Sequence, residues 1–175
     1  MGKVNGESKR TGKCVVGVVM GSDSDLAVMQ RCVDMLAELG IGYEARIISA
    51  HRTPELADEY ACSAEGRGLK VLIAAAGMSA ALGGVLAART TLPVIGVPMA
   101  SGPLAGVDAA LSTMQMPPGV PVACMAIGPS GATNAAIFAA QILAVADRRL
   151  AGRLKQYKAE QARKVAEKDA ALRGK

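Results

Sequence analysis

The chain is predicted to be a single α/β domain, with a five-stranded parallel sheet covered by helices on both faces and a long helix at the C-terminus. Three observations predict it. Five short β-rich or apolar runs alternate with helix-like stretches at intervals of about 25–30 residues, the rhythm of βαβ units that build a parallel sheet. At 175 residues the chain suits one core rather than two. With 51% hydrophobic and 20% charged residues, the composition excludes a disordered, collagen-like or coiled-coil protein. Aromatic residues are only 2%, so Val, Ile, Leu, Met, Ala and Gly must fill the interior and backbones should approach closely.

Taken in order, the first strand is expected over 14–20 (CVVGVVM), followed by a helix over 24–39 that Gly40 can close in the left-handed conformation. A second strand over 43–48 (YEARII) leads to a helix over 54–65, with Thr53 at the cap position and Pro54 at the first helical position. Strands over 70–76 (KVLIAAA), 93–98 (PVIGVP) and 121–127 (PVACMAI) follow, separated by helices over 79–90 and about 104–115. From Ala132 onward there is no proline and, before Gly174, only Gly152 as glycine, so one long helix is expected. Its first half is apolar and should pack on the sheet, whereas its charged second half should leave the body and reach a neighbouring subunit. The implied organisation is a flexible N-terminal extension (1–13), a body (14–154) and a charged helical tail (155–175).

The net charge of +5 is unevenly distributed. Residues 1–13 hold four basic and one acidic group, 14–146 hold six and ten, and 147–175 hold ten and four. The body is therefore mildly acidic, and the basic C-terminal segment carries Tyr157 as its only aromatic, which argues against nucleic-acid binding. The four cysteines, at 14, 32, 62 and 124, form no CxxC pair and read as reduced, buried thiols. With a single histidine they cannot assemble a common metal-ligand set, so no metal is expected. No apolar secretory stretch opens the chain, and a cytoplasmic protein is expected. Between Lys70 and Asp147 the only charges are Arg89 and Asp108, yet seven of the eight prolines fall between Pro93 and Pro129 and interrupt any membrane-spanning helix. Subunit contacts are the expected cover for this uncharged stretch, making the chain a homo-oligomer.

Ligands of an open parallel sheet bind outside the carboxyl ends of its strands. After strand one stand Gly21, Ser22, Asp23, Ser24 and Asp25. Helix-start amides and hydroxyls suit a phosphate, and a carboxylate suits ribose hydroxyls, although the same residues also cap ordinary helices. After strand two come Ser49, Ala50, His51, Arg52 and Thr53. His51, the only histidine, is placed for general acid–base work, and Arg52 offers a fork for phosphate or carboxylate. After strand three, Gly77, Met78, Ser79, Leu82 and Gly83 belong to a small-residue stretch that lets backbone approach a planar ligand or anion, or that serves as a tight turn. No GxSxG elbow is present, and no cysteine stands at a strand end as a nucleophile.

Taken together, MGSDSD (20–25), SAHRTPE (49–55), LPVIGVP (92–98), QMPPGVPV (115–122) and AIGPSGATNAAIFAAQIL (126–143) resemble the PurE family of purine biosynthesis, over about Val15 to Leu154. The resemblance implies a flavodoxin-like three-layer sandwich, a homo-octamer, and action on aminoimidazole ribonucleotides with CO2 but no metal or organic cofactor. It implies that Ser22 and Asp25 bind the nucleotide, that Ser49 and Arg52 contribute to a phosphate site, and that His51 is the general acid–base. The backbone of the strand-three loop, with Gly77, Met78, Ser79, Leu82 and Gly83, would hold the carboxylate. Gly21 and Ala50 would line the same pocket. Most motifs resemble the mutases, which convert N5-carboxyaminoimidazole ribonucleotide to 4-carboxyaminoimidazole ribonucleotide. The strand-three loop lacks the mutases' usual histidine and is similar instead to the AGxSxxLxG of members that carboxylate aminoimidazole ribonucleotide directly. Those members usually carry Lys where Arg52 stands. The mutase is the reading taken, with the direct carboxylase as the alternative and a non-catalytic nucleotide-binding protein as a remote one.

Overall fold

The computed structural model describes residues 13–174. The expected extension over 1–13 lies outside the described residues except for Lys13. Five strands, β1 (Val16–Met20), β2 (Tyr43–Ile47), β3 (Val71–Gly77), β4 (Val94–Met99) and β5 (Ala123–Cys124), pair in the order β2-β1-β3-β4-β5, every pair parallel. Six helices accompany them: α1 (Leu26–Glu38), α2 (Pro54–Ala64), α3 (Leu82–Ala87), α4 (Val107–Met114), α5 (Pro129–Ala144) and α6 (Arg148–Arg173). This strand order is that of the flavodoxin-like sandwich.

Alternate strand residues feed two cores because side chains on a strand point to opposite faces. Val16, Val18, Ile73, Ile95 and Val97 pack on one face against Met29, Cys32 and Leu36 of α1, five buried alanines of α5, and Leu150 and Leu154 of α6. Val19, Leu72, Ala74 and Val94 pack on the other against Ala57, Tyr60 and Ala61 of α2 and Leu82 and Leu86 of α3. The close approach expected from the composition is realised at Gly96 of β4, where a Cβ would meet the Thr113 methyl of α4 and lie 3.1 Å from Val122.

Several sequence expectations are corrected. The single helix expected from Ala132 is two helices, because Asp147 is extended (φ −123°, ψ 99°) and its carboxylate accepts from the Arg149 and Leu150 amides. A short polar side chain that caps a new helix offers the backbone an alternative to continuing the old one. The third helix begins at Leu82 rather than 79, since Met78 (φ 56°) and Ala80 (φ 37°) are left-handed. Ala105 (φ 49°) and Gly106 (φ 89°) likewise delay α4 to Val107. The fifth strand shrinks to two residues paired with Ile95 and Gly96: Pro121 has no amide to give to a ladder, and after Cys124 the chain stays tied to β4 through the Met125 amide on Gly96 O (2.9 Å) and the Gly128 amide on Pro98 O (2.8 Å). Of the cysteines, Cys32 is fully buried and its thiol is pushed up to about 12, but Cys62 is exposed on the solvent side of α2. Among the described residues, no helix is long and apolar enough to cross a membrane.

Candidate active site

The strand order reverses between β1 and β3, so a crevice opens where the loops following them diverge. The loops after β1, β2 and β3 are tied together there. The Gly21 amide donates to Ala75 O (2.9 Å), the Ile48 amide to Met20 O (2.8 Å), and the Arg52 guanidinium to Gly21 O (3.3 Å). Gly21, Ser22, Ser49, Ala50, His51, Arg52, Gly77, Met78 and Ser79 thus share one edge of the sheet.

After β1 the chain makes one 3₁₀ turn, Asp23–Asp25, before α1. Ser22 is extended and its hydroxyl accepts from the Ser24 amide (3.3 Å) and the Ser24 hydroxyl (2.9 Å). This is capping of the kind expected from sequence. It also concentrates two hydroxyls and several amides at the crevice, as an oxyanion would require. Asp25 is only 7% exposed. Burial raises its carboxyl above the ordinary range, and hydrogen bonds from Ser22 and Ser24 oppose that shift. A buried acceptor so close to the surface is suited to paired hydroxyl donors.

The β2 loop is closed by Thr53, and here the structure departs from the simple cap expected. Its hydroxyl does not cap α2; it donates to Ser49 O (2.9 Å) and accepts from the Ser49 amide (3.1 Å), while the Thr53 amide also reaches Ser49 O (2.8 Å). These contacts fold 49–53 into a tight turn whose apex presents Ala50, His51 and Arg52. His51 is exposed, free to meet a ligand. Ser49 Oγ accepts from the Arg52 amide (3.2 Å) and Nε (3.4 Å), so Ser49 and Arg52 form one unit with the guanidinium fixed toward the β1 loop. The spacing of Ser49 and Thr53 carried that signal, but capping was the commoner meaning of the threonine.

The β3 loop is built differently. Met78 is 58% exposed and Ser79 is exposed, but Leu82 is in the core between β3 and α2, and Gly83 lies against Val122 and Ala74. Leu82 and Gly83 can therefore meet a ligand only through backbone. Gly77 is required for space: a Cβ there would collide with the hydroxyl of Ser101, in the loop after β4. From sequence the loop 98–103 could wall a pocket or simply connect elements, and Ser101 is not singled out, because nothing in a Pro- and Gly-rich loop marks which residue touches the neighbouring strand end.

Comparisons with known proteins point to one family. The family described as AIR carboxylase matches residues 15–164. An N5-carboxyaminoimidazole ribonucleotide mutase of Pseudomonas aeruginosa is 53% identical over 151 residues, 86% of this chain and 93% of that protein. One from Pyrococcus horikoshii is 50% identical over 161 residues, 92% of this chain and 90% of that protein. A crystal structure of Treponema denticola PurE superposes with a TM-score of 0.82 at 33% identity, covering 90% of this chain and 98% of that one.

Proposed function

The chain belongs to the AIR carboxylase family, and from that membership we propose that it is an N5-carboxyaminoimidazole ribonucleotide mutase of de novo purine biosynthesis. The observation that carries the reading is the junction of three loops at the switch point, with Arg52 bridging from the His51 turn to Gly21. The polar β1 and β2 loops take the ribonucleotide: Arg52 and Ser49 hold phosphate, and Ser22 and Asp25 meet the ribose. His51 performs the proton transfers. As the bond between N5 and the carboxylate carbon breaks, the imidazolium gives a proton to the departing amine. Carbon 4 of the ring then attacks the released CO2, and the neutral imidazole recovers a proton from that carbon. Protons in and out balance, so the reaction is an isomerisation and asks for no external reductant or oxidant. The backbone of the β3 loop keeps CO2 at the reacting carbon and away from water.

Homo-oligomerisation, octameric by resemblance, belongs to the same reading. Val107, Leu111 and Met114 recur at helical spacing on α4 and, with Leu104 in the turn before it, are 49–59% exposed, an apolar patch fit for a second copy of the chain. We also read 14–154 as the catalytic body and 155–175 as its tail, in a cytoplasmic enzyme. Light scattering should report an oligomer, and a stable monomer at micromolar concentration would contradict this.

One observation favours a second reading, direct carboxylation: Ala81 stands where the mutases usually carry histidine. The deciding experiment supplies N5-carboxyaminoimidazole ribonucleotide alone to the purified protein, then aminoimidazole ribonucleotide with bicarbonate and carbonic anhydrase. Turnover of the first is expected; efficient turnover only of the second would reverse the assignment.

A further inference from the structure

We propose that Ser101 is a substrate-contacting residue of this site, its hydroxyl holding the migrating one-carbon group together with the backbone of the β3 loop. The proposal rests on the mutase reading above. Ser101 follows β4, and β4 pairs with β3 up to Gly77 and Met99, so its hydroxyl stands beside Gly77 at the carboxyl edge of the sheet. There it occupies the volume that a Cβ at residue 77 would fill. Gly77 is not left-handed; it is glycine for room. Ser101 is half-buried, and among the described residues its hydroxyl has no hydrogen-bond partner.

The two loops interlock at a second point. Gly102 (φ 73°) lies against Met78, whose Cγ would be 3.5 Å from a Cβ on residue 102. The left-handed conformations of Met78 and Ala80 are ones that surrounding packing has to hold. The Ser101 amide is engaged in a tight turn to Met99 O (2.9 Å) and the Gly128 amide binds Pro98 O (2.8 Å), so the end of β4 is fixed on both sides. An unpartnered hydroxyl on a fixed frame is a preorganised donor.

The chemistry of the group explains why such a donor suits it. Residues 71–88 and 90–107 carry no charged side chain. A cation here would bind the carboxylates of substrate and product more tightly than neutral CO2, and so deepen both ground states relative to the step between them. Neutral donors avoid that. In 77–81 and 100–106 the side-chain donors are the hydroxyls of Ser79 and Ser101, and Ser101 is the one backed by the sheet.

The test compares wild type with Ser101→Ala and Ser101→Thr, using N5-carboxyaminoimidazole ribonucleotide. It measures kcat, KM and the fraction of turnovers that end as free aminoimidazole ribonucleotide plus CO2. Ser101→Ala should lower kcat about 10-fold and raise the escaping fraction about 5-fold, with KM within about 2-fold, because the lost contact is to the migrating group and not to the nucleotide. Ser101→Thr, which keeps the hydroxyl, should recover most of both. An escaping fraction and kcat unchanged in Ser101→Ala, a rise in KM alone, or a Thr variant no better than Ala would each overturn the proposal. If wild type instead turns over only aminoimidazole ribonucleotide with CO2, the mutase reading fails; an unchanged KM for CO2 in Ser101→Ala would then separately sink the role of Ser101.

Discussion

The two halves of the crevice are held in place by different physics. On the β1 and β2 side, 21–25 and 49–53 are fixed by side-chain hydrogen bonds: Ser22 with Ser24, Thr53 with Ser49, Ser49 with Arg52, and Arg52 with Gly21. On the β3 and β4 side, 77–81 and 100–106 use left-handed backbone at Met78, Ala80, Gly102, Ala105 and Gly106, and close packing of Ser101 on Gly77. The first half is polar and charged, which suits the phosphorylated sugar of the proposed substrate. The second is uncharged, which suits a group that passes through neutral CO2 in the proposed mechanism. Substitutions should therefore separate into those that change nucleotide affinity or proton transfer and those that change the fate of the carboxyl group.

The largest effect is expected at His51. His51→Asn should lower kcat at least about 100-fold, the low end for a positioned acid–base group, while the ribonucleotide still binds. Near-normal turnover would remove proton transfer from this loop. Arg52→Ala comes next: loss of a charge-assisted phosphate contact should raise KM about 10-fold with a smaller change in kcat. Unaltered ribonucleotide binding by calorimetry would move the phosphate elsewhere.

His51 and Arg52 could be named as candidates from the sequence because the chemistry proposed for them is written in side chains. The fold was legible for a related reason, since apolar runs at βα spacing leave few alternatives for a chain of this size. What escaped was backbone. Nothing in the letters at Met78 and Ala80 announces positive φ, so α3 was expected three residues early. Ser101 could not be distinguished from other small residues until β3 and β4 were seen side by side. The break before α6 was present in the sequence as Asp147, but an aspartate within an otherwise unbroken helical pattern more often lies on a solvated face than at a cap.

The smallest predicted effect lies outside the crevice and serves as its control. Asp147 is held below the usual carboxylate range, chiefly by the Leu150 amide and also by that of Arg149. A depressed folded-state pKa gives stability that is present above the unfolded value and lost as pH falls through the folded one. Acidification below about pH 4, a reference carboxylate value, should therefore loosen the start of α6. Asp147→Ala should lower Tm by about 2–4 °C at neutral pH and leave kcat and KM unchanged. A catalytic defect in that variant would show that the tail is coupled to the site.

The division between the halves is tested most directly by the fate of a labelled carboxyl group. N5-carboxyaminoimidazole ribonucleotide carrying ¹³C in its carboxylate is supplied with unlabelled bicarbonate and carbonic anhydrase, and the label in the product is measured for wild type, Arg52→Ala and Gly77→Ala. Wild type and Arg52→Ala should keep the label, since the proposed CO2 subsite is intact in both. Gly77→Ala, whose new methyl collides with the Ser101 hydroxyl, should lose most of it to exchange. Equal retention in all three proteins, or exchange in Arg52→Ala as extensive as in Gly77→Ala, would contradict the account.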